Sequence, residues 1–148
     1  MLEKRKPIIG LTMGDPNGIG PEIIVRALTK LNSRLDWHPV IFGDAWVIEQ
    51  VTSKLDSTLQ LKMCKNLAEL PDGPCIVDLK VHSGRNWQLG QVSAWGGESS
   101  FHFLKEAIDA ALANQIDAIS TAPLSKTALH MAGQHVTIIT CFKIARPL

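Results

Sequence analysis

The sequence predicts an α/β fold built on a largely parallel sheet with crossover helices. Strand-length apolar runs alternate with helix-period segments from the start of the chain. The first strand is an apolar run, and the second reads as buried. Glycine-bearing turns close two of them, at Gly14–Gly20 and at Gly43-Asp44. Strand, helix, strand, helix in that order argues for parallel pairing through crossovers. Ligands on such sheets collect outside the carboxyl ends of the strands, where both turns fall.

The first strand is Pro7-Ile8-Ile9-Gly10-Leu11-Thr12-Met13, and the turn Gly14-Asp15-Pro16-Asn17-Gly18-Ile19-Gly20-Pro21-Glu22 follows it. Pro21 suits the first turn of a helix, where its missing N–H costs nothing, and Glu22 complements the positive dipole end. Ile23, Ile24, Ala27, Leu28 and Leu31 recur at helical spacing and predict one buried stripe. A helix start facing a glycine-lined turn suits an anion. The turn lacks the Gly-Lys-Ser/Thr of a P-loop, and the third glycine of a dinucleotide fingerprint is missing. A tight strand-to-helix turn and an anion site are both compatible with it.

After a polar break at Asn32–Trp37, His38–Asp44 reads as a second buried strand and Ala45–Leu55 as a helix inward on Val47, Ile48, Val51 and Leu55. Thr58–Met63 alternates like a half-buried strand, Leu67–Pro74 is turn-rich, and Cys75–Leu79 is a short strand. Val81–Ser93 reads as a loop, with Trp87 and Trp95 nearby as packing anchors. Ser99 or Ser100 offers an N-cap to a long helix with Phe101, Leu104, Ile108, Ala111 and Leu112 inside. Asp117–Pro123 is a strand running into a turn. Ser125 then caps a short helix ended by Gly133.

Composition bounds the function classes. The 148 residues can bury one core, with 45% hydrophobic and 20% charged residues. Fifteen Lys and Arg against 14 Asp and Glu give a net charge of +1, which makes no electrostatic case for nucleic acid. No apolar run reaches the roughly 18 residues of a membrane span, and the start lacks a signal-peptide core. Cys64, Cys75 and Cys141 are odd in number and widely spaced, which fits a reducing cytoplasm better than disulfides or zinc. The five histidines, His38, His82, His102, His130 and His135, give no helical i,i+4 pair and no H-E-x-x-H, so no metal ligands are assigned.

Gly14–Glu22 closely resembles the GDPxGIGPE signature of the 4-hydroxythreonine-4-phosphate dehydrogenase (PdxA) family. Thr121-Ala122-Pro123-Leu124-Ser125-Lys126, followed by Ala132-Gly133, is similar to that family's T-x-P-x-x-K and Ala-Gly. Between them, Gly90-Gln91-Val92-Ser93 and Gly97-Glu98-Ser99-Ser100 resemble its paired G-x-x-S/A pattern. The resemblance implies an isocitrate/isopropylmalate-dehydrogenase-like fold, a cytoplasmic homodimer, and NAD or NADP as oxidant. It implies a divalent metal (Zn, Mg or Co) that polarises the hydroxyl and keto oxygens. The implied substrate is a small phosphorylated hydroxy acid, such as 4-phosphohydroxy-L-threonine of pyridoxal phosphate synthesis. A similar branch acts on D-threonate or D-erythronate 4-phosphate, and Thr12–Pro16 and Thr121–Leu124 lean slightly to it.

Carried over by position, Gly14, Asp15, Asn17, Gly18 and Gly20 line the cleft, with Thr121 beside them. Ser125 offers a hydroxyl there and Lys126 a charge for a phosphate or carboxylate. Asp15 reads equally as a turn-forming side chain, and Lys126 reads also as a solvated lysine. No catalytic residue is assigned. The family's Gly-His-Thr-Glu set has no counterpart in register after Gly133; His135 and Thr140 match in type alone. Residues 1–133 are therefore expected to be the N-terminal portion of a two-domain fold, and 134–148 a divergent tail from truncation or frameshift. The metal ligands and further cofactor residues would lie in the other half. Little or no activity is expected of these residues alone. A ligand-binding remnant and an interaction module with an uncovered half-core are the competing expectations, and β-prone Val136–Thr140 could patch an open edge.

Overall fold

The computed structural model describes residues 5–31, 35–81 and 87–134. Its strands are β1 (Ile8–Thr12), β2 (His38–Gly43), β3 (Lys62–Met63), β4 (Cys75–Asp78) and β5 (Ala118–Thr121). The helices are α1 (Gly20–Leu31), α2 (Ala45–Lys54), α3 (Ala94–Leu112) and α4 (Lys126–Met131). The strands form one sheet in the order β3-β4-β2-β1-β5, and every neighbouring pair is parallel.

That order contains a reversal. The chain moves outward from β1 through β2 to β4, then returns through α3 to add β5 on the far side of β1. Right-handed crossovers in opposite directions put α1 and α2 on one face and α3 on the other. Strand side chains follow suit: Ile41 and Ile76 pack with α1 and α2 residues such as Val25 and Val47. Val40, Phe42 and Cys75 pack with Ala107, Ala110 and Ala111 of α3. The reversal sets the carboxyl ends of β1 and β5 side by side, where open parallel sheets take ligands.

Several expectations shift. The long helix starts at Ala94, because Ser93 is the N-cap and its hydroxyl accepts from Gly96 N–H at 3.1 Å. Ser99 and Ser100 are instead buried inside it. Its inward face centres on Phe103, Ala107, Ala110 and Ala111, while Leu112 is 71% exposed. Near its start α3 crosses α4 at backbone contact, where a Cβ on Gly97 would lie 2.0 Å from Ala128 O, and farther along the small Ala107, Ala110 and Ala111 pack against the sheet. On α1 the inward residues are Ile24, Val25 and Leu28, whereas Ile23, Ala27 and Leu31 are exposed. β3 shrinks to two residues because the Ser57 hydroxyl, paired with Thr29 of α1 at 2.6 Å, also accepts from Leu59 N–H and holds that segment off the sheet.

The short helix is as expected. Ser125 Oγ accepts from Ala128 N–H at 3.1 Å, and Gly133 follows the helix with φ +74°. Cys64 and Cys75 are buried free thiols, and burial pushes Cys75 up to about 12. No helix among the described residues is long and apolar enough to cross a membrane. The expectations for Asn32–Arg34, His82, His135, Cys141 and Val136–Thr140 fall outside the described residues.

Candidate functional site

The two sequence motifs, about a hundred positions apart, are one structure. Asp15 N–H donates to Pro123 O at 3.2 Å, and Ala122 N–H donates to Thr12 O at 3.1 Å. Gly14, with φ +72°, lies so near this crossing that a Cβ would stand 2.3 Å from Pro123 O. Gly20 does the same for the helix: a Cβ there would stand 2.2 Å from Met13 O. Neither position tolerates a side chain, because backbone from another element fills the space. The glycines let β1, α1 and the β5–α4 turn converge.

The polar residues of the turn stitch it to the start of α3. Asp15 Oδ1 accepts from Asn17 N–H at 2.9 Å, closing an Asx turn, and Gly18 N–H donates to Asp15 O at 2.9 Å. Asn17 Nδ2 donates to Ser93 Oγ at 3.0 Å, and Asn17 O accepts from Gly90 N–H at 2.8 Å. Asn17 Oδ1 also accepts from Gln88 N–H at 3.3 Å. Asp15 and Asn17 are buried, and Gly96 must be glycine because a Cβ would stand 2.7 Å from Asp15 Oδ1. Burial pushes the Asp15 carboxyl above the ordinary carboxylate range, against the opposing pull of its bond from Asn17. Trp87 closes the turn from outside: its indole N–H donates to Pro16 O at 2.8 Å and its ring meets Trp46 edge-on at 5.5 Å.

These contacts define what the turn can hold. The amides of Asp15, Asn17 and Gly18 are engaged within the protein, and the bare faces of Gly14 and Gly20 meet backbone. Those three amides are therefore not free to cradle a dinucleotide pyrophosphate. Nor do the described residues fit a divalent ion unaided, since no three His, Cys, Asp or Glu side chains among them converge. What faces outward at the strand ends is the β5–α4 turn. Thr121 and Ser125 are half-buried there and Lys126 is exposed. Ser125 is engaged as the α4 N-cap, so Lys126 supplies the outward-facing cation of the motif. Beneath the shelf, Thr12 is fully buried, and its hydroxyl has no partner among the described residues.

Sequence reasoning named Asn17 as a cleft residue but assigned no role to Ser93 or Gly96 and did not foresee the tie between the Asn17 side chain and Ser93. The signal available was the spacing: Ser93 closes Gly90-Gln91-Val92-Ser93, and the structure shows that this segment meets Asn17 at both its ends.

Comparison with known proteins gives the chain its relatives. Residues 36–142 match the family model described as "Pyridoxal phosphate biosynthetic protein PdxA". The chain is 34% identical over 134 residues to the 4-hydroxythreonine-4-phosphate dehydrogenase of Trichlorobacter lovleyi, covering 88% of this chain and 40% of that one. It is 36% identical over 133 residues to an Oceanobacillus iheyensis protein named "Putative D-threonate 4-phosphate dehydrogenase", covering 87% and 40%. Among solved structures, the 4-hydroxythreonine-4-phosphate dehydrogenase from Burkholderia phymatum superposes with a TM-score of 0.82 at 30% identity, over 93% of this chain and 42% of that one. The chain spans about 40% of the length of the curated relatives it matches.

Proposed function

The chain belongs to the PdxA family, and from that premise we propose that it forms the strand-end shelf of an NAD(P)-dependent, divalent-metal-assisted dehydrogenase. The substrate is a 4-phosphorylated hydroxy acid, with 4-phosphohydroxy-L-threonine the first choice. A bound NAD(P) would supply the oxidant for its secondary alcohol, and the β-keto acid that results would lose CO2. The observation that supports this reading is the meeting of the two motifs at the switch point of the sheet, with Lys126 facing outward. The relatives' names point to the same class of reaction.

Each part of the shelf has a task in this reading. The Lys126 ammonium neutralises the substrate's phosphate or carboxylate. The Asp15, Asn17 and Ser93 network holds the β1 and α3 ends still, so that the turn carrying Lys126 is presented on a rigid base. The nicotinamide and the metal are assigned to residues beyond those this chain brings together, and a cytoplasmic homodimer belongs to the same reading. A second reading, oxidation of D-threonate or D-erythronate 4-phosphate, is favoured by the relative of 36% identity.

Calorimetric titration with 4-phosphohydroxy-L-threonine and with D-threonate 4-phosphate tests the shelf. Binding of at least one ester is expected, weakened about tenfold or more by Lys126→Ala. The order of the two affinities chooses between the readings. Absence of binding by either ester, or binding indifferent to Lys126→Ala, would overturn the assignment.

A further inference from the structure

The tether that shortens β3 leaves a hollow beside it. Ser57 Oγ pairs with Thr29 of α1 at 2.6 Å and accepts from Leu59 N–H at 3.1 Å, so the chain from α2 to β3 stands off the sheet. The gap is a cavity of about 410 Å³, floored by buried Ile48 of α2, Leu59 and Ile76 of β4. Leu61 and the 48% exposed Met63 wall it on the strand side. That volume is in the range that takes a small molecule. β3 and β5 are opposite edges of the sheet, so the cavity lies across the sheet's width from the turn that carries Lys126.

The rim is polar along one side and carries one sign of charge. Glu49, Thr52, Ser53 and Asp56 follow at helical spacing along α2 and the turn after it, and all four line the cavity. Glu49 and Asp56 are exposed, and neither has an ion-pair or hydrogen-bond partner among the described residues. No described Lys, Arg or His lines the cavity. The carboxyl end of α2 lies at the same rim, and its dipole adds negative potential there. The Thr52 and Ser53 hydroxyls can accept from an ammonium N–H. An apolar floor below two unneutralised carboxylates complements a small organic cation with a hydrocarbon body. An anion would be repelled, and a wholly polar ligand would lose hydration over the floor without recovering it.

We propose that this cavity is a binding site for a small amphipathic amine, its ammonium on the Glu49 and Asp56 side and its hydrocarbon part on Ile48, Leu59 and Ile76. The occupant bridges α2 to the detached segment and so stiffens the β3 edge. The site stands apart from the proposed dehydrogenase chemistry and holds whether or not Lys126 meets a phosphate.

The probe is phenethylamine, and hydrocinnamate is its counterpart with the same ring, a similar length and the opposite charge. Titration of the isotope-labelled chain should give saturable amide shifts from the amine at about millimolar affinity. The shifts should centre on residues 52–63 and Ile76. The acid should bind about tenfold more weakly or not at all. Asp56→Asn and Glu49→Gln, both at exposed positions, should each weaken the amine by about threefold and bring the two affinities closer. Lys126→Ala should leave the amine's affinity unchanged. No saturable shift up to about 50 mM amine, an acid that binds as tightly, shifts centred elsewhere, or indifference to both carboxylate variants would each overturn the proposal.

Discussion

Three residues carry the chemistry of the shelf's interior, and each makes a separate prediction. Thr12 is fully buried with a hydroxyl that has no partner among the described residues, and by alternation it faces the α3 side, as Gly10 does against Ile116 and Phe42. Removing an unsatisfied buried hydroxyl is favourable when shape is kept, so Thr12→Val should raise stability by about 1 kcal/mol in urea unfolding. A loss of that size would show that the hydroxyl has a partner. Asp15 holds its proton to higher pH in the folded chain than in the unfolded one, because burial raises it. Stability therefore falls as pH rises from the ordinary aspartate range through the raised pKa. Asp15→Asn keeps an acceptor for Asn17 N–H and removes this slope, so urea midpoints at acidic and neutral pH should draw together. Gly14→Ala forces a Cβ against Pro123 O at positive φ and should cost about 1–3 kcal/mol. Gly73, which also has positive φ but has nothing within 4 Å of its Cβ position, should tolerate alanine better.

Element by element, the sequence was most legible where local and long-range demands agree. β1, β2, β4 and α2 lie within a few residues of their predicted bounds, because apolar runs and glycine turns set them locally. Ser125 and Gly133 marked α4 for the same reason. The failures fall where tertiary contact overrides pattern. The α3 face could not be read from its large apolar residues, because many of its buried positions are small: Gly97 meets α4 backbone, and Ala107, Ala110 and Ala111 pack on the sheet. Gly97→Ala should therefore separate α3 from α4, lowering the melting temperature more than Ser125→Ala, which removes the α4 cap worth about 1 kcal/mol. Equal effects would mean that the helix crossing is looser than its contact with Ala128 indicates. The stripe on α1 was misread in a different way: Ile23, Ala27 and Leu31 have helical spacing, but spacing cannot say which apolar face the described chain covers.

At the scale of the molecule, the motifs were legible as a family resemblance before their contacts were known. That they form one crossing could not be read from spacing, because the reversal that brings β5 beside β1 follows the α3 crossover. The site's outward chemistry rests on the β5–α4 turn, while the glycine-rich turn faces inward and braces it. In the proposed function this shelf is one side of a catalytic cleft, with the nicotinamide and the metal held by residues that this chain does not bring together. Nicotinamide reduction with 4-phosphohydroxy-L-threonine and a divalent metal, by the chain alone and with the unmatched remainder of the 34%-identical relative added as a separate polypeptide, tests this most directly. The expected result is no reduction by the 148 residues alone and reduction once the remainder is bound. Turnover by the chain alone, or a bound remainder that gives none, would contradict it.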